Sequence, residues 1–60
     1  MDALLLRVED ASRVLNVGRS AIYDLIRSGA LKSVKIGGSR RIPKTALEEY
    51  VTFLMEVEAP

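Results

Sequence analysis

The chain has 60 residues, a net charge of +1, and neither Cys nor His. A chain this short forms one domain, residues 1–60, and buries only about 60% of its unfolded surface. Without Cys or His it cannot use the disulfides or structural zinc that usually staple small domains, nor a thiol nucleophile or imidazole base. No apolar run approaches the ~18 residues of a membrane span and no signal-peptide pattern is visible, so a soluble, cytoplasmic protein is expected.

The small net charge hides a strong division along the chain. Residues 1–12 set Arg7 against Asp2, Glu9 and Asp10, for −2. Residues 13–44 carry Arg13, Arg19, Arg27, Lys32, Lys35, Arg40, Arg41 and Lys44 against Asp24 alone, for +7. Residues 45–60 carry Glu48, Glu49, Glu56 and Glu58, for −4. A basic centre between acidic ends is an electrostatic footprint for a polyanion.

In chain order, Leu4, Leu5 and Leu6 form an extended apolar lead-in expected to pack on the core. Val8, Ala11, Val14 and Leu15 then recur at helical spacing, with Glu9, Ser12 and Arg13 opposite, which predicts a first helix over 8–15. Asn16-Val17-Gly18 breaks it, because Asn and Gly tolerate positive φ. Between Arg19 and Arg27 one arc carries Arg19, Ser20, Tyr23, Asp24 and Arg27, and the opposite arc Ala21, Ile22, Leu25 and Ile26. That is a clean amphipathic second helix, ended by Ser28-Gly29.

Leu31 to Ile36 alternates, with Val34 and Ile36 on one face and Ser33 and Lys35 on the other. Gly37-Gly38 suits a tight hairpin turn in which both residues can take positive φ, and Ser39 to Ile42 is the return strand. An isolated two-strand hairpin is marginal, so it has to lean on the helices. Pro43 stops the strand and suits a helix start. A third helix is expected from Lys44 to about Glu56, with Ala46, Leu47, Tyr50, Val51 and Leu54 as its apolar stripe. The fold class is thus mainly α with a small β-hairpin: helix, turn, helix, hairpin wing, helix.

These residues resemble a known family. Leu5 to Ala11, Leu15 to Ile26, Gly29-Ala30-Leu31, Val34 to Pro43 and Ala46 to Tyr50 follow the pattern of excisionase-type winged helix-turn-helix proteins, which are similar to the DNA-binding domain of MerR-type regulators. The resemblance covers about residues 5–54. It departs at Arg7 and Gly18, where family members often have a capping Ser or Thr, and at Asp24, where they often have a basic or neutral residue. What it implies is a phage or integrative-element excisionase, or recombination directionality factor. Such a protein binds repeated sites on double-stranded DNA, bends the DNA, and biases an integrase toward excision, with no catalytic activity or cofactor of its own. Its place would be the bacterial cytoplasm, on the nucleoid when bound. A small transcriptional regulator of the same fold is the alternative, and a module using its basic face on an acidic protein is the alternative from another class.

The site residues follow from the second helix and the hairpin. Arg19, Ser20, Tyr23 and Arg27 face one way on a helix that fits the major groove, where Arg can grip guanine O6 and N7. Gly38, Ser39, Arg40 and Arg41 form the wing, whose arginines suit a narrow minor groove. Alternation puts Arg40 and Arg41 on opposite faces, so one is expected to insert and the other to hold phosphate. Lys32, Lys35 and Lys44 are expected to attract phosphate. Phe53, Met55 and Val57 widen the apolar arc of the third helix beyond what a 60-residue core needs, which suggests a contact for another copy or a partner protein. Glu48 and Glu49 point about 100° apart and cannot face one substrate, and no metal-ligand cluster can be assembled.

Overall fold

A computed structural model describes residues 3–58. Strand β1 (Leu5–Leu6) leads into helix α1 (Val8–Leu15), followed by helix α2 (Arg19–Ser28), strands β2 (Val34–Ile36) and β3 (Ser39–Pro43), and helix α3 (Lys44–Glu58). The strands form an antiparallel sheet of order β1-β3-β2, with Leu6 opposite Ile42 on one side and Val34 opposite Arg41 on the other. Of the apolar lead-in, Leu5 and Leu6 are therefore a strand, but only Leu6 packs against the core; Leu4 is exposed at 82% and Leu5 also lies at the surface, which corrects the expectation for these two.

Pro43 ends β3 rather than standing outside it. The next backbone N–H, that of Lys44, donates to the Leu4 carbonyl at 2.9 Å on the β1 side. Strand residues alternate in direction, so the missing N–H of Pro43 faces the β2 side, where β2 begins only at Val34 and leaves no ladder bond to lose.

Two left-handed residues shape the turn between the helices and the end of α2. Asn16 (φ 58°) closes α1, its N–H donating to Arg13 and that of Val17 to Ser12, the paired bonds of a Schellman motif. Gly29 (φ 86°) closes α2. At the start of the same two helices, Arg7 and Gly18 are extended and give no side-chain cap. In the hairpin only Gly37 takes positive φ, at 63°, and Gly38 does not. One positive φ at the first central residue is the pattern of a type II′ turn, so the expectation for Gly38 is corrected.

Among the described residues the core is Val8, Ala11, Ile22, Leu31, Ile42, Ala46 and Leu47, lined at its edge by Leu6, Leu15, Leu25, Ile26 and Tyr50. Every element from α1 onward except β2 contributes to it or to its edge. Val34 and Ile36 remain exposed, so β2 adds no buried residue to the core. Val14, at the rim of the α1 apolar arc, is likewise exposed at 63%. Helix α3 runs two residues beyond the expected end and leaves the core behind. Ala46 and Leu47 are buried, but every residue from Val51 to Glu58 is exposed. Among the described residues no helix is long and apolar enough to cross a membrane.

Candidate nucleic-acid interface

Helix α2 has one job in the core and another outside it. Ile22 is fully buried and Ala21, Leu25 and Ile26 are half-buried or at the core's edge, which holds the helix by one face. Arg19, Ser20, Tyr23, Asp24 and Arg27 are consequently all exposed on the other face. The wing is fixed by β3, whose Ile42 is fully buried between the helices while Ser39 and Arg40 stay exposed and Arg41 half-buried.

These two surfaces meet. A shallow groove is lined by Arg19 and Tyr23 of α2, Ser39, Arg40 and Arg41 of β3, and Arg7, Val8 and Glu9 at the start of α1. The recognition-helix and wing candidates are thus neighbours along one surface. Among the described residues, Arg7, Arg19, Arg40 and Arg41 have no carboxylate partner. Arg40 donates from Nη1 to the Ser33 hydroxyl at 2.9 Å, and Arg41 to the Arg40 carbonyl at 3.0 Å. Among the described residues, four guanidinium groups stand against the single carboxylate of Glu9, which makes this groove strongly anion-seeking.

Arg40 and Arg41 lie on opposite faces of β3 by register, since Arg40 pairs with Lys35 and Arg41 with Val34. Both nonetheless border the groove. Arg40 also borders a second groove on the far side, with Lys32, Ser33 and Glu49. Lys35 sits directly across from Arg40, a like-charge pair that disfavours the bare hairpin and favours an anion beside it. Gly38 is confined to the turn.

Other candidates lie elsewhere. Lys44 is half-buried and lines a mostly apolar groove with Ala3, Leu6, Val14, Leu47 and Glu48. Arg27 donates to the Asp24 carboxylate one turn back on α2. Phe53, Met55 and Val57 are all exposed, but not together. Phe53 and Val57, four residues apart, share a face of α3, and Met55 lies roughly 160° around the helix from both.

Arg7 and Glu9 were not among the expected site residues. In the linear charge profile they belong to an acidic end. The fold moves them: β1 pairs with β3 through Leu6 and Ile42, and Arg7 and Glu9, which follow directly on β1, line the same groove as Arg41.

A short helix pair with a three-residue turn, a two-strand wing and a basic groove between the second helix and the wing defines a winged helix-turn-helix domain. Residues 5–53 match the family model described as a helix-turn-helix domain. The chain is 46% identical over 52 residues to a probable excisionase of Saccharopolyspora erythraea, covering 87% of this chain and 53% of that protein. It is 47% identical over 47 residues to an excisionase of Streptomyces ambofaciens, covering 78% of this chain and 76% of that protein. The chain therefore belongs to the excisionase-type helix-turn-helix family, and it spans about half the length of the first of these relatives. No solved structure shows a significant match to it.

Proposed function

We propose that this chain is a sequence-specific double-stranded DNA-binding protein of the excisionase class, working in the cytoplasm on the bacterial chromosome without catalysis of its own. The observation that carries the reading is the groove in which Arg19 and Tyr23 of α2 adjoin Ser39, Arg40 and Arg41 of the wing. Helix α2 lies in the major groove, where Arg19, Ser20, Tyr23 and Arg27 meet base edges and phosphates. The wing follows the adjacent backbone or minor groove through Arg40 and Arg41, and Lys32 and Lys35 add phosphate attraction. Lys44, turned toward the apolar groove beside α1, is left out of this surface.

One such module covers a short stretch of duplex, so useful affinity requires copies side by side on repeated sites. The exposed end of α3, with Phe53 and Val57 on one face, offers a contact to a neighbouring copy or to an integrase, and the bound copies bend the DNA toward excision. Both relatives bear the name excisionase, which supports recombination over promoter control.

The experiment is enrichment from a random duplex library, followed by fluorescence anisotropy on the enriched site at several salt concentrations. Wild type is compared with Arg40→Ala/Arg41→Ala. A motif should enrich, log affinity should fall linearly with log salt, and the double variant should have a slope shallower by ~0.9 for each phosphate it no longer neutralises. No enrichment, with weak binding even at low salt, overturns the DNA reading and points to an acidic protein partner.

A further inference from the structure

Arg7 occupies a position where a basic side chain is costly to the fold. It is the residue before the first turn of α1, extended at φ −75° and ψ 161°, and its side chain makes no capping hydrogen bond. Ser, Thr, Asp or Asn there would accept one of the unpaired N–H groups of the first turn. A guanidinium can only donate, and its positive charge opposes the positive end of the helix dipole. It follows directly on β1, whose Leu6 pairs with Ile42 of β3, and it shares a groove with Arg19, Arg40 and Arg41. Among the described residues, none of these four has a carboxylate partner. Three separate penalties thus converge on one side chain: an empty cap, an unfavourable dipole and like-charge neighbours. A phosphate in the groove reverses the last two.

We propose that Arg7 is a DNA-phosphate ligand, gripping one backbone phosphate together with Arg41 where β1, the start of α1 and the wing come together. This rests on the DNA-binding reading above and adds to it a contact from outside both the recognition helix and the wing. It also assigns Arg7 a double role, since the residue strengthens binding while weakening the free fold.

The test uses the full chain and the enriched duplex, with Arg7→Ser, Arg7→Gln, Arg7→Lys and the control Arg13→Gln. Arg13 carries the same charge but lies outside the groove, paired with Asp10. Arg7→Ser should bind about three- to tenfold more weakly near 0.1 M salt, with a salt slope shallower by ~0.9. It should also unfold about 4–8 °C higher, because it restores a cap. Arg7→Gln should lower the slope equally without the thermal gain, and Arg7→Lys should keep the slope.

If Arg7→Ser and Arg7→Gln keep the wild-type slope while Arg40→Ala/Arg41→Ala flattens it, the Arg7 contact is overturned and the DNA reading stands. An equal flattening in Arg13→Gln also overturns it, since net charge alone would then explain the effect. A lower unfolding temperature in Arg7→Ser overturns the double role. If neither the Arg7 nor the wing variants change the slope, the groove is not where the duplex lies and the Arg7 contact falls with it, whereas failure of the library to enrich any duplex is what overturns the DNA reading itself.

Discussion

Arg27 donates a hydrogen bond to the carboxylate of Asp24, one turn earlier on the exposed face of α2. Both side chains are largely exposed, at 73% and 67%, so the pair adds only about 0.3–0.5 kcal/mol to the free protein. On the DNA-binding proposal its weight falls on recognition. Asp24 is the one acid in the basic centre of the chain, and it holds a guanidinium that would otherwise sweep freely.

Asp24→Ala should therefore act in two directions. On the proposed docking, removing a carboxylate from the DNA-facing side of α2 should raise affinity for arbitrary duplexes about two- to fivefold, and releasing Arg27 should narrow the difference between the enriched site and a scrambled one. The ratio of the two dissociation constants, measured by anisotropy in one buffer, decides the matter. An unchanged ratio shows that Asp24 does not orient Arg27 for reading.

Among the described residues, Glu9 is the single carboxylate along the four-arginine groove. Glu9→Gln should tighten duplex binding about two- to threefold without altering the salt slope, because the number of phosphates neutralised stays the same. The same change removes a favourable charge from the first turn of α1 and should lower stability by about 0.3–1 kcal/mol. Titration of duplex and thermal unfolding on the same samples read the two effects.

The far end of α3 divides into two faces with different expected consequences. Phe53→Ser should weaken cooperative filling of adjacent sites while leaving single-site affinity nearly intact. Met55→Ser, on the other side of the helix, should leave both unchanged. Binding to duplexes carrying one or several copies of the site separates these outcomes, and equal weakening on both duplexes in Phe53→Ser removes α3 as a contact surface.

The wing turn offers a paired test of backbone conformation. A Cβ at either Gly37 or Gly38 meets open space, but only Gly37 has positive φ. Gly37→Ala should cost about 1–2 kcal/mol and lower the unfolding midpoint by roughly 4–15 °C, whereas Gly38→Ala should be close to neutral. Circular dichroism melts of the two variants suffice, and equal destabilisation contradicts the II′ turn.

Much of this protein was legible in the sequence because its signals are local. The spacing of Ile22, Leu25 and Ile26 against Arg19, Tyr23 and Arg27 determined both the existence of α2 and which side meets solvent. Asn16 and Gly29 marked helix ends because few residues accept a left-handed backbone. Gly37-Gly38 between alternating segments marked the hairpin for the same reason. The amphipathic arc and the wing were enough to single out Arg19, Tyr23, Ser39, Arg40 and Arg41, which the fold then brought to one groove.

What only the tertiary structure decided depends on residues far apart in the chain. Leu5 and Leu6 carry no pattern of their own, and they become a strand because Pro43 and Ile42 lie opposite them. That pairing also carries Arg7 out of an acidic segment and into the basic groove. Likewise, periodicity marked Val14, Val34 and Ile36 as apolar-face residues, but whether such a face is covered depends on which element stops beside it. With so small a core, β2 and the far half of α3 extend beyond it. Period and turn chemistry are written into neighbouring residues, whereas register across a sheet and the reach of a small core are properties of the folded whole.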